Sequence, residues 1–412
     1  MAALTEQLVE RSMVRAVPLS VHVDLTMRCN ELCVHCYRVI EDRQELTTAE
    51  VKALLADLAR AGTLYLTFSG GEVFLRADLF ELIAEAKRLR FDVRLKSNAL
   101  LITAERARRL RELGVRQVDV SIYSTEPAVH DAITKIPGSL ERSLAAIERL
   151  REARVGVKIN CPLMRVNVAG YRAVRALAER LGVPCGIDPM ITARNDGDTS
   201  TVPLRINRAE LKGVLRDTSL NPEPLPTAIP AVRPDLDDIL CGAGHNAAYV
   251  SAYGDVMPCV ALPLACGNIR ETPFSTIWSD SSRMREVRAI RVRDLHTCAG
   301  CEAAMFCTRC PGQALVEDGD LYGPSRAACE HALAGAELRW AHHPAARRRG
   351  RARGAGSRPR PARAGASSRA PPAQRVTAGP CRGRAGRRGA SCAPATPPAR
   401  GASSPHRARR RQ

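Results

Sequence analysis

Between residues 21 and 190, short runs rich in Val, Ile and Leu alternate with longer stretches whose apolar residues recur every three or four positions. The short runs predict strands over 21–26, 64–68, 93–96, 118–122, 155–160 and 185–190. The longer stretches predict helices over 48–60, 79–89, 104–113, 139–154 and 170–181, the first capped by Thr47 or Thr48. Repeated strand–helix units imply a parallel sheet with helices outside it. Six strands predict an α/β fold built as a partial (β/α)6 TIM-like barrel, with its chemistry at the C-terminal strand ends.

The periodicity stops after residue 194. Residues 195–235 are rich in Pro, Thr and Asp and read as a connector with one helical piece near 209–217. Residues 236–340 are dense in cysteine and poor in aromatic residues, so a core there needs help from bound metal. Residues 1–17 form an N-terminal segment and 18–194 the barrel. The last segment, 341–412, is Arg, Ala, Pro, Gly and Ser, a composition too poor in large apolar side chains to fold. It is expected to be a disordered, dispensable tail.

Charge sharpens that division. The chain holds 62 Lys and Arg against 43 Asp and Glu, a net charge of +19. From Ala341 to Gln412 there are 19 arginines and no Lys, Asp or Glu, which accounts for the whole excess. Residues 1–340 are therefore neutral, and a nucleic-acid partner is not expected. The first twenty residues carry Glu6, Glu10, Arg11 and Arg15 and lack a signal-peptide core. No apolar run reaches the roughly 18 residues of a membrane span. A cytoplasmic, reducing location follows, where clustered cysteines are metal ligands more often than disulfides.

Straight after the first strand comes Cys29-Asn30-Glu31-Leu32-Cys33-Val34-His35-Cys36-Tyr37. Three thiolates this close can converge on one centre. A four-iron cluster normally takes four cysteines, so three leave one iron free for another ligand. The competing reading is a non-catalytic zinc module completed by a group such as His35. Ser69-Gly70-Gly71-Glu72 follows the second strand, with two glycines that allow close backbone approach. Ser97-Asn98 ends the third strand and Ser121 the fourth, while Lys158 and Asn160 are polar positions on an apolar fifth strand.

The cysteine loop resembles the signature of the radical S-adenosylmethionine (SAM) superfamily. The resemblance implies a 4Fe–4S cluster on Cys29, Cys33 and Cys36, with SAM on the open iron. It also implies SAM contacts at Gly70, Gly71, Glu72, Ser97, Asn98 and Ser121, with Glu72 meeting the methionine ammonium.

Farther on, the sequence sets Cys241, Gly254, Cys259 and Cys266, then Cys298, Cys301, Cys307 and Cys310, and finally Cys329. Paired Cys-x-x-Cys units point to zinc or iron–sulfur. The pattern is similar to the SPASM extension of radical enzymes, which holds two auxiliary 4Fe–4S clusters. By that resemblance Cys241, Cys259 and Cys310 serve the first and Cys298, Cys301, Cys307 and Cys329 the second. Only two residues separate Cys307 from Cys310 where the family has three, and Cys266 is either an extra ligand to the first cluster or a bystander. Cys161 and Cys185 read as buried strand thiols.

The resemblance implies an enzyme that cleaves SAM to a 5′-deoxyadenosyl radical and modifies a ribosomally made precursor peptide. Alternatives within the family are sulfatase maturation, disfavoured by Val260 where those enzymes carry Asp, and tetrapyrrole or cofactor biosynthesis. Expected partners are the precursor peptide, a separate leader-peptide-binding chaperone, and an electron donor such as flavodoxin or ferredoxin.

Overall fold

The alternation of the strands is realised in three dimensions. A computed structural model describes residues 2–220 and 235–340, so the 341–412 tail and part of the connector lie outside the described residues. Helix α1 (Ala2–Val14) precedes β1 (Ser20–Thr26), β2 (Tyr65–Gly70), β3 (Asp92–Ser97), β4 (Gln117–Ser121), β5 (Gly156–Pro162) and β6 (Cys185–Asp188). These strands pair in parallel in chain order. Between them run α2 (Thr48–Arg60), α3 (Leu79–Arg88), α4 (Ala104–Glu112), α5 (Pro127–Thr134), α6 (Ser139–Glu152) and α7 (Tyr171–Leu181). Neither α1 nor α5 follows from the apolar periodicity. Thr47 caps α2 through a capping box with Glu50, which satisfies two otherwise free amides.

One side chain in two along each strand faces the helices. Val21, Val23 and Leu25 of β1, Leu66 and Phe68 of β2, Val118 and Val120 of β4, and Val157, Ile159 and Cys161 of β5 are buried in one cluster with Leu54, Leu55, Leu82 and Ile83. The other set is polar and faces inward. The core thus lies on one side of the sheet and leaves the other for chemistry.

The cysteine-rich region continues this sheet. After α8 (Arg208–Arg216), β7 (Ala247–Val250) pairs in parallel with β1. Strands β8 (Asp255–Met257) and β9 (Gly267–Asn268) follow antiparallel, giving the order β6-β5-β4-β3-β2-β1-β7-β8-β9. This extension is not visible in the apolar pattern, because β7 to β9 are only two to four residues long. Helices α9 (Phe274–Asp280), α10 (Ser282–Ala289), α11 (Pro311–Asp318) and α12 (Arg326–Trp340) complete the region. Ion pairs from Arg205 to Glu317 and from Arg208 and Lys212 to Glu337 tie it to the segment after β6.

Candidate active site

Inward residues of the six strands and the loop after β1 line one cavity of about 540 Å³. Its lining includes Cys29, Cys33 and Cys36 together with Lys96, Asp119, Ser121, Lys158, Asn160 and Asp188. Val260 and Ala261, next to Cys259, line it as well.

The cysteine loop is pinned at several points. Leu32 and Val34 donate their amides to Thr134 and Ile133 at the end of α5, each at 3.0 Å, and Cys36 N–H reaches Cys33 O at 3.1 Å. Asn98 Nδ2 donates to Asn30 Oδ1 at 2.7 Å and lies 3.8 Å from Cys29 Sγ. Arg38 Nε donates to Cys36 Sγ at 3.2 Å and its Nη1 to Met27 O. Cys33 Sγ donates to Glu31 Oε2 at 3.1 Å. Burial raises the Cys29 and Cys33 thiols and pushes the Glu31 carboxyl up to about 7. Burial likewise lowers His35 to about 4, which leaves its ring neutral against Tyr123, 4.9 Å away edge to face.

The donor set fits a cubane cluster. Among the described residues no three His, Cys, Asp or Glu side chains close around a single ion. Cys29, Cys33 and Cys36 all line the one cavity, and three thiols on one loop are the donors that a 4Fe–4S cluster with one open iron would take. Metal binding stabilises the thiolates that burial otherwise disfavours.

Gly70 and Gly71 are required by the backbone itself. A Cβ on Gly70 would stand 2.1 Å from Thr26 O, and one on Gly71 1.9 Å from Arg28 O, so any side chain would push β2 off the end of β1. Gly70 also has φ +123°, in the region that favours glycine. Both glycines line the cavity.

Glu72 is fully buried and does not line the cavity. Its carboxylate accepts from Phe74 N–H at 3.1 Å, Ser97 Oγ at 2.8 Å and Asn98 N–H at 2.9 Å. In this arrangement Glu72 fixes the Ser97–Asn98 turn, and its oxygens are taken up by that turn. Ser97, Asn98 and Ser121 remain on the cavity wall.

The later cysteines fall into two groups. Cys241, Cys259 and Cys310 lie within electrostatic reach of one another. Cys298, Cys301, Cys307 and Cys329 do so as well. The division is the one implied by the resemblance, and the short spacing before Cys310 does not remove it from its group. Cys266 is placed elsewhere: its Sγ lies 3.4 Å from Leu264 O, and it faces Ser281, Arg283 and Arg288 rather than Cys241 or Cys259. Cys161 is buried and Cys185 half-buried in the barrel wall.

Several residues of the site belong to no motif. Asp24, 1% exposed, joins His22 Nε2 at 3.0 Å and accepts from Tyr249 OH at 2.7 Å, so β7 supports a histidine that lines the cavity. Lys96, Asp119 and Asp188 line the cavity as well. Their signal was polar residues at alternate positions of apolar strands.

The family models agree with this geometry. Residues 23–175 match the Radical SAM superfamily, and 241–302 match SPASM, an iron–sulfur cluster-binding domain. The AdoMet-dependent heme synthase of Nitratidesulfovibrio vulgaris is 31% identical over 72% of this chain and 88% of its own length. The mycofactocin maturase MftC of Mycobacterium tuberculosis is 29% identical over 71% of this chain and 81% of its own. The crystal structure of Streptococcus suis SuiB bound to S-adenosylmethionine is similar in fold, with a TM-score of 0.60 at 16% identity over 76% of this chain and 77% of SuiB. The chain is an enzyme of the radical SAM superfamily, built to use S-adenosylmethionine and 4Fe–4S clusters, with a SPASM domain in its C-terminal half.

Proposed function

We propose that this enzyme acts on the carboxylate side chains of a tetrapyrrole, converting propionate to vinyl. The observation that carries the reading is the pair Lys96 and Lys158 on the cavity wall, two cations that make no ion pair among the described residues. They suit an anionic substrate, and the 31% identity with a heme synthase over most of its length points to the same chemistry. The residues proposed to hold the cofactors are Cys29, Cys33 and Cys36 for the first cluster, with the Gly70–Gly71 backbone, Ser97, Asn98 and Ser121 beside SAM. The two later thiol groups would hold the auxiliary clusters.

When bound, the cluster and SAM supply a radical that takes a hydrogen atom from the substrate. A propionate that loses one hydrogen atom, carbon dioxide and one electron becomes a vinyl group, the electron passing to an oxidised iron–sulfur acceptor. The protein's part is to hold the β-carbon still and keep water away. Anaerobic enzyme given SAM, a reductant and iron coproporphyrin III tests the reading. Mass loss of carbon dioxide plus hydrogen from the porphyrin, matched by 5′-deoxyadenosine, is expected. An unaltered porphyrin would contradict it.

A second reading, modification of a precursor peptide, is favoured by the 29% identity with MftC. Under it a leader-binding chaperone and a flavodoxin or ferredoxin donor would be partners. Deoxyadenosine formation stimulated by a small peptide encoded beside the gene, and not by the porphyrin, would decide for it.

A further inference from the structure

We propose that Lys96 and Lys158 form a clamp for a substrate carboxylate that is not consumed, and so choose which neighbouring side chain meets the radical. The inference rests on the tetrapyrrole reading and assigns the part of the site that orients the macrocycle.

Parallel register sets Lys96 of β3 opposite Asp119 of β4, and Asp119 opposite Lys158 of β5. All three therefore stand in one inward layer, and all three line the cavity. The layer does not satisfy itself. Asp119 Oδ1 accepts from Gln117 Nε2 at 2.6 Å, and among the described residues neither ammonium has a hydrogen bond or an ion pair. Asp188 of β6 adds a second carboxylate near Lys96, and burial raises its pKa. Room is kept at the other lysine: a Cβ on Gly186 would come within 3.1 Å of Lys158 Cε and 3.4 Å of its Nζ, and within 3.2 Å of Asn160 Oδ1. Lys96 is exposed to the cavity solvent and Lys158 is half-buried, so each ammonium carries water that an incoming carboxylate can replace with a charge-assisted bond. The two ammoniums stand one strand to either side of Asp119, whose Oδ1 is engaged by Gln117, and both reach the cavity where a substrate carboxylate could meet them.

The same physics decides which carboxylate is held. An ion pair stabilises the carboxylate over carbon dioxide, so a clamped propionate resists decarboxylation. The clamp therefore fixes a spectator propionate, and the reacting one lies beside the thiol wall. Lys96 and Lys158 are positioning residues.

The test is an absorbance titration of the reconstituted holoenzyme with iron coproporphyrin III and, separately, with its tetramethyl ester. Wild-type enzyme should prefer the free acid. Lys96→Met and Lys158→Met should each weaken acid binding about tenfold or more, as expected for one charge-assisted bond. Ester binding should be unchanged, and Lys96→Arg and Lys158→Arg should recover much of the loss. Affinity for SAM should not move. Equal binding of the acid by wild-type and Met variants would overturn the clamp, as would a loss confined to SAM. Failure of wild-type enzyme to bind the porphyrin at all would instead overturn the substrate reading on which the clamp stands.

Discussion

The barrel and the cysteine-rich region share one sheet but are held together by different means. The barrel has a continuous apolar cluster reaching from Val21 to Val174 and filled by Phe68, Leu82, Ile83 and Leu95. The region after residue 235 adds Phe274, Ile277, Trp278 and Met284 to that cluster, and its own clusters are small. One centres on Leu262, Val287, Ile290, Leu295 and Leu321, another on Ala303, Ala332 and Ala336. Its seven grouped cysteines lie beside these small clusters, with Cys259, Cys298 and Cys307 packed directly on them. The contrast teaches that the same iron chemistry plays two parts. In the barrel it is expected to be carried by a scaffold whose apolar cluster does not depend on it. In the later region metal–thiolate bonds would supply cohesion that its small apolar clusters do not.

The sharpest way to break this comparison is to remove ligands from each side. Cys33→Ala should abolish 5′-deoxyadenosine formation while leaving the circular dichroism spectrum and thermal midpoint nearly unchanged. Cys307→Ala should instead make the 236–340 region sensitive to limited proteolysis while the barrel stays resistant. Equal structural damage from both variants would erase the distinction.

A core substitution probes the opposite side. Leu82→Ala, at a fully buried position, should cost about 2–5 kcal/mol in denaturant melts of the apoprotein. Loss of iron should not change that cost. A dependence on metal would mean that the barrel is not self-supporting.

The smallest effect is a pH dependence confined to the barrel. His130 is fully buried on α5, with Nδ1 accepting from Tyr123 N–H at 3.2 Å, and burial lowers its pKa to about 4. A histidine whose folded pKa is depressed binds its proton first in the unfolded chain. Its contribution is therefore complete above the ordinary value of 6.5 and is lost as pH falls toward 4. Wild-type stability should fall across that window more steeply than that of His130→Gln. Parallel slopes in chemical melts would remove the assignment.

Much of the barrel was legible because burial leaves a period in the sequence. Strands alternating Val or Ile with polar residues lie within one or two positions of those expected, and Thr47 caps α2 as its position suggested. The two cysteine groupings followed from the resemblance to the SPASM extension, and spacing by itself pointed only to zinc or iron–sulfur. Less so was anything that depends on contacts between distant segments. Strand β7 is four residues long, and its place beside β1 depends on pairing across more than two hundred residues. The internal use of Glu72 was hidden for a related reason: its partners Ser97 and Asn98 come from another strand end. Cys266 had ligand-like spacing, but its side chain faces α10.

The central claim is that Cys29, Cys33 and Cys36 hold a cluster with one iron open to the cofactor. The most direct measurement is electron paramagnetic resonance of reduced, anaerobically reconstituted protein in which Cys241, Cys259, Cys298 and Cys307 are replaced by Ala, with and without SAM. A single 4Fe–4S signal whose g values shift on adding SAM is predicted. Protein that takes up zinc and no iron, or a signal indifferent to SAM, would contradict it.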